Sequence, residues 1–208
     1  IEYTGTGNDY MKAPVEEHFS LKDGKATWKN RTEQGERSLG SAAFYIPTNA
    51  PPELFGALAR ALLKAPGHTL SLLPAGEAHI EAAGTASVAG GKTVLNQYLI
   101  DGLGFQPAPI WLDRDGNTAG SVSSWFSVVP SGTEADVQTL IEAQDKATNE
   151  RSARLAKELV HAPKGDLVIR DARLFDPRDL SVTPNTSVLV RGERIVRIAA
   201  DGDLKDAD

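Results

Sequence analysis

Metal-assisted hydrolysis needs His, Asp and Glu side chains that converge on one point, and their spacing along a chain is the first sign of it. The four histidines, His18, His68, His79 and His161, fall on four separate segments. None forms a His-x-His or His-Glu-x-x-His pair, so the sequence places no metal ligand. Asp113-Arg114-Asp115-Gly116-Asn117 begins like a calcium loop, but an EF-hand loop carries Gly sixth and Glu twelfth. Those places hold Thr118 and Ser124, and the stretch reads as a hairpin turn. Ala89-Gly90-Gly91-Lys92-Thr93 imitates the end of a phosphate loop. Ala86 stands where the first Gly is needed, and a strand pattern follows instead of a helix. Gly5 and Gly7 lack the preceding strand, third Gly and following helix of a dinucleotide fingerprint, so residues 1–12 are read as a loop. Ser121, Ser123 and Ser124 do not sit in a Gly-x-Ser-x-Gly elbow. Asn30-Arg31-Thr32 and Asn185-Thr186-Ser187 match a glycosylation triplet, a pattern too short to carry weight. The sequence therefore assigns no catalytic, cofactor-binding or metal-binding residue.

The aromatic residues are the remaining candidates. Trp28, Trp111, Trp125, Phe44 and Phe126 fall on expected strands. On the concave face of a curved sheet such side chains can line an apolar pocket. Packing against a covering helix is the expected outcome, because large aromatics dominate cores.

Composition narrows the classes. With 208 residues there is room for one large or two small domains, and 40% hydrophobic with 24% charged residues is an ordinary globular balance. A net charge of −6 without a Lys/Arg cluster argues against nucleic acid and anionic lipid as partners. No apolar run approaches the ~20 residues that span a bilayer. The lack of Cys rules out disulfides and thiolate metal sites and suits either an oxidising or a reducing compartment. The chain opens at Ile1 without Met or a basic segment, so no signal peptide is read, and both ends are expected to be cut.

The elements that would position these residues follow from turn chemistry and periodicity. Asp23-Gly24 between alternating segments predicts a hairpin from His18 to Trp28. Ala42 to Ile46 reads as a strand, and Pro51-Pro52 opens a helix over 53–65 with Leu54, Leu58, Ala61 and Leu62 on one face. From His68 to Val129 short strands alternate with turns: 69–73, 77–88, 93–100, 109–112 and 121–129. Glu134 to His161 is a long helix with apolar ends and a polar middle, the pattern of a connector between two bodies. Leu167–Ile169, Leu174-Phe175, Val188–Val190 and Ile195–Ile198 read as four short strands, with Arg191-Gly192-Glu193-Arg194 as a tight hairpin between the last two. The fold class is therefore α+β: a curved, half-barrel-like antiparallel sheet packed on a helix (1–132), a connector helix (133–162), and short strands of an incomplete sandwich (163–208). The tail 201–208, with four Asp, is expected to be loose.

The order Leu167-Val168-Ile169, Ala172, Leu174-Phe175-Asp176-Pro177, then Thr186 to Ala199 (TSVLVRGERIVRIA) resembles the opening β-segment of the metal-dependent amidohydrolase superfamily. The resemblance implies a small sandwich preceding a catalytic barrel whose first metal pair is His-x-His. No such pair occurs up to Asp208. What it implies is that this chain is the N-terminal, non-catalytic part of a hydrolase acting on C–N bonds. Zinc or another divalent metal would be held in the missing barrel, and none in this chain. The missing C-terminal barrel is the implied partner, and the preceding domain would shield it, narrow substrate access or mediate assembly, a homo-oligomer included. The resemblance also implies an exported protein, periplasmic or secreted. The alternative is a binding module whose curved sheet holds an apolar ligand or a protein partner in a cavity lined by Trp and Leu.

Overall fold

A computed structural model describes residues 1–161 and 163–204. Ala162, at the end of the expected connector, and the expected loose tail from 205 onward lie outside the described residues. The chain divides into two compact units, Ile1–Ser152 and Ala153–Asp208. The α+β class holds, with a curved half-barrel sheet and further antiparallel sheets.

The first unit begins with a four-stranded antiparallel meander, β1 (Glu2–Asn8), β2 (Pro14–Lys22), β3 (Lys25–Lys29) and β4 (Gln34–Ser38), in sequence order. Asp23 and Gly24 take φ of 51° and 74°, the two positive values that a two-residue hairpin turn requires. The expected loop over 1–12 is instead largely strand β1, paired with β2 from Glu2–Ser20 to Asn8–Pro14. Tyr3 and Gly5 face inward while Thr4 and Thr6 face out, and a Cβ on Gly5 would come within 3.1 Å of the Tyr3 hydroxyl. Gly5 is thus a packing residue and not a phosphate-loop glycine. Strand β4 is polar on both faces and carries no alternation for a sequence reading to find. Trp28 lies over its Gly35, where a Cβ would fall 2.5 Å from the indole.

The second sheet has the order β10-β9-β8-β7-β6-β5. Strand β5 (Ala43–Tyr45) leads through helix α1 (Glu53–Lys64) to β6 (Thr69–Leu73), and these two strands pair in parallel. The expectation is an antiparallel sheet throughout; the crossover through α1 instead returns the chain parallel to β5, the kind of connection that parallel neighbours require. Strands β7 (Glu77–Val88), β8 (Thr93–Asp101), β9 (Ala108–Leu112) and β10 (Thr118–Gly120) continue it as antiparallel neighbours. A bulge in β7 between Ala82 and Gly84 decides how the sheet is covered. Before it, Ala78 and Ile80 pack with Ile100, Ile110 and Leu112 against Leu58, Ala59 and Leu62 of α1. After it, Ala86 and Val88 join Leu95, Trp111 and Val122 in a separate cluster with Leu140. One extra residue reverses which face the even-numbered side chains of β7 occupy.

Leu140 belongs to helix α2 (Val137–Leu159), entered through a short 3-10 turn at Glu134–Asp136. The Asp136 carboxylate accepts the Ala89 N–H at 3.0 Å and so fixes the helix start to the turn between β7 and β8. The expected strand 121–129 does not form. Past β10 only Ser121 and Val128 bridge. The Ser123 hydroxyl accepts the N–H groups of Trp125 and Phe126 (3.3 and 2.9 Å) and donates to the Phe126 carbonyl at 2.7 Å. A serine that satisfies the backbone locally removes the ladder's donors. The aromatics are therefore on a loop tip, and the expectation that Trp125 and Phe126 pack in the core is overturned: they are 89% and 57% exposed. Trp111, with no exposure, is core as expected, but in the cluster with Leu140 of α2 and not against α1.

The second unit contains a three-stranded antiparallel sheet, β11 (Leu167–Asp176), β12 (Ser181–Arg191) and β13 (Arg194–Ala200). Three strands replace the four expected, because Leu167–Ile169 and Leu174-Phe175 share β11 across two register shifts at Ala172. The hairpin at Arg191–Arg194 forms as read, with Gly192 at φ 57°.

Candidate functional site

In the first unit, a cleft of about 630 Å³ opens beside β8 and β9. Its floor is Leu99, Pro109 and Val122. One wall is aromatic: Phe105 from the loop between β8 and β9, and Trp125 with Phe126 from the tip after β10. The rest of the lining is polar and comes from one side of α2, where Gln144, Thr148 and Arg151 recur at helical spacing with Asp145 and Ser152 beside them.

Both walls are held. The Ser127 hydroxyl donates to the Ser123 carbonyl at 3.2 Å and accepts the Ser123 N–H at 3.2 Å, which closes the tip at its base. The rings of Trp125 and Phe126 lie 6.1 Å apart at 51° to each other. On the helix, Gln144 donates to the Val122 carbonyl at 3.1 Å. Arg151 faces Glu81 on β7 at 3.4 Å and Asp101 on β8 at 3.8 Å. With both carboxylates engaged on Arg151, Asp145 is the other charged side chain in the wall. Beside the floor, on the same face of the sheet, Gln97 and Trp111 are cross-strand partners and are 1% and 0% exposed. Both ends of the Gln97 amide, the Trp111 indole N–H and the Gln144 carbonyl oxygen have no hydrogen-bond partner among the described residues.

A second polar centre joins the meander to β5. Glu17 is 3% exposed, and its Oε1 accepts the Tyr45 hydroxyl at 2.6 Å and the Thr48 N–H at 3.1 Å. Burial and the bond to Glu17 push the Tyr45 hydroxyl's pKa up. Tyr45 stacks on Phe19 with ring centres 4.3 Å apart. A buried acid that holds a tyrosine and a backbone amide is a pin between layers, and the arrangement offers no nucleophile or metal set.

The residues weighed from sequence are dispersed. His18, His68, His79 and His161 are all exposed; His18 and His79 lie within hydrogen-bond distance of Thr4 and Thr69. No group of three His, Asp or Glu side chains is placed to hold a metal among the described residues. Asp113 is the hub of its turn: its carboxylate accepts the N–H of Asp115 and of Asn117 and the Asn117 amide, which holds its pKa below the usual carboxylate range. Ala89, Gly90 and Gly91 take positive φ of 52°, 67° and 86° in the turn between β7 and β8. The cleft itself was not found from sequence. The available signal was Ser123-Ser124-Trp125-Phe126-Ser127, where serines flanking two aromatics mark a turn tip and not a strand.

In the second unit the notable feature is an uncovered face. Leu167, Val190 and Ile195 form one cross-strand row, and Ile169, Val188 and Ile198 form the next on the same face. On the outer strands Ile195 and Ile198 are 64% and 50% exposed and Leu167 and Ile169 are close to half exposed, while Val188 on the central strand is buried and Val190 partly buried. Arg191 clamps Asp166 with Nε at 3.0 Å from both carboxylate oxygens and Nη2 at 2.6 Å from Oδ2, and this hydrogen bonding lowers the Asp166 pKa. Asp201 accepts the Ser187 hydroxyl at 2.5 Å and so fixes the end of β13 to β12. No helix in the described residues is long and apolar enough to cross a membrane. No protein-family model, curated protein or solved structure matches the chain.

Proposed function

We propose that this chain is the N-terminal, non-catalytic region of an amidohydrolase-like, metal-dependent hydrolase acting on C–N bonds. In this reading β11–β13 is one half of a two-part sandwich. The observation that carries it is the pair of aliphatic rows on one face of that sheet. A three-stranded sheet with a half-exposed apolar face is short of the packing that sheets of this kind use for stability. Covering the exposed parts of Leu167, Ile169, Ile195 and Ile198 contributes on the order of 1 kcal/mol for each side chain. The sequence order of the strands resembles that family's opening segment, and the half-exposed aliphatic face supports a covering partner. Among the described residues the histidines do not converge and no group of His, Asp and Glu is placed to hold a metal, so no hydrolytic step is derived for them. The metal belongs to the partner barrel, where it would supply an activated water.

The test is to translate the reading frame past Asp208, purify the encoded protein and measure its metal content and amide hydrolysis. A His-x-His segment soon after Asp208, bound zinc, and activity lost to a chelator and restored by zinc are expected. A frame without such a segment, or a protein without bound metal, removes the hydrolase reading.

The cleft favours a second reading, in which the first unit is a binding module. The core between α1 and the sheet is packed, and in this reading the ligand would lie in the cleft against Trp125 and Phe126 instead of in an internal cavity lined by Trp and Leu.

A further inference from the structure

The two walls of the cleft ask for different things. Phe105, Trp125 and Phe126 offer ring faces, while Asp145, Thr148 and Ser152 of α2 offer hydrogen-bonding groups in the same lining. Exposed aromatics are costly to keep in water and mark a contact surface when they are held there. Trp125 and Phe126 are held, because the Ser123 and Ser127 hydroxyls consume the tip's backbone groups.

From these walls we propose that the cleft binds a neutral oligosaccharide. The inference rests on the binding-module reading of the first unit and names its ligand class. A sugar ring has apolar C–H faces and a rim of hydroxyls, so it can stack on one wall and hydrogen-bond the other. Trp125 and Phe126 are tilted by 51° with centres 6.1 Å apart, which gives two platforms for rings that are rotated relative to each other. A purely apolar ligand would leave the polar wall of α2 desolvated and unpaired, which costs free energy. An anion would need Arg151 free, and Arg151 is shared between Glu81 and Asp101. The volume of about 630 Å³ falls within the range of ordinary ligand clefts.

The experiment is a calorimetric titration of the full chain with cellohexaose, laminarihexaose and maltohexaose, repeated on Trp125→Ala and Phe126→Ala. Both substitutions are at exposed positions, so circular dichroism should show the same fold. At least one sugar should saturate, with a shift in tryptophan emission, and each variant should weaken it about tenfold or more. Sugar binding that is unchanged in both variants overturns the proposal. So does a cleft that takes an apolar naphthylamine probe or a proline decamer, sensitive to Trp125→Ala, while no sugar competes; in that case the binding-module reading survives. Failure of every probe removes both.

Discussion

Replacing Gly56 with Ala tests how α1 sets the position of β10, and through it the aromatic tip that follows. In a helix exposed to solvent the change would stabilise by about 0.8–1 kcal/mol, because Ala is the better helix former. Here the new Cβ would lie 1.9 Å from Thr118 Oγ1 and 3.0 Å from Thr118 Cβ. The hydroxyl can rotate away only by giving up its bonds: it donates to Glu53 at 3.0 Å and accepts from Arg60 at 3.0 Å. Losing those two partly exposed bonds costs roughly 1 kcal/mol, and overpacking adds about 1–3 kcal/mol. The overpacking term exceeds the propensity gain, so Gly56→Ala should destabilise by about 1–3 kcal/mol net. Urea unfolding followed by tryptophan emission reads this as a lower midpoint at similar slope. Adding Thr118→Ala removes the clashing oxygen and should recover more than half of the loss, a coupling that the double-mutant cycle isolates. A Gly56→Ala protein as stable as the parent, or more so, would refute the close approach of α1 to β10.

Three further outcomes follow from particular contacts. Gln97→Leu replaces a buried amide that has no partner among the described residues by an apolar side chain of similar size, and should raise stability by about 1 kcal/mol in urea unfolding; a loss instead would mean that the amide is satisfied by a bound molecule. Gly102→Ala should unfold the first unit at ordinary temperature or prevent its expression, since Gly102 sits at φ 95° and a Cβ would lie 2.0 Å from the Glu77 carbonyl; a soluble, normally melting variant would contradict that packing. Asp166 has its pKa lowered by Arg191, so its contribution is present above the unfolded carboxylate value and is lost as pH falls through the lowered folded value. Hydrogen exchange of β11 and β12 amides should therefore lose protection in acid in the parent, and Asp166→Asn should already show the lower protection at neutral pH.

What could be read from the sequence was local. The Asp23-Gly24 turn, the entry to α1 at Pro51-Pro52, the Asp113–Asn117 turn and the Arg191–Arg194 hairpin each carry their conformation in two to five neighbouring residues, and each is found in the structure. The features that were missed depend on distant partners. Strand β1 is a strand because β2 pairs with it, and its glycines gave the opposite signal. The parallel pairing of β5 with β6 follows from how α1 packs. The bulge at Ala82–Gly84, which turns β7 from one core to the other, leaves only an ordinary Gly in the sequence. The cleft was illegible for the same reason: Phe105, Trp125 and Arg151 come from two loops and a helix that only the folded sheet brings together.

In the function proposed above, the aliphatic face of β11–β13 is covered by a hydrolase barrel. The most direct test is hydrogen exchange on the protein encoded by the whole reading frame, compared with the chain ending at Asp208. The account predicts that amides of β11 and β13 gain protection in the longer protein and that zinc co-purifies with it. Equal protection in the two proteins, with no metal in the longer one, would contradict it.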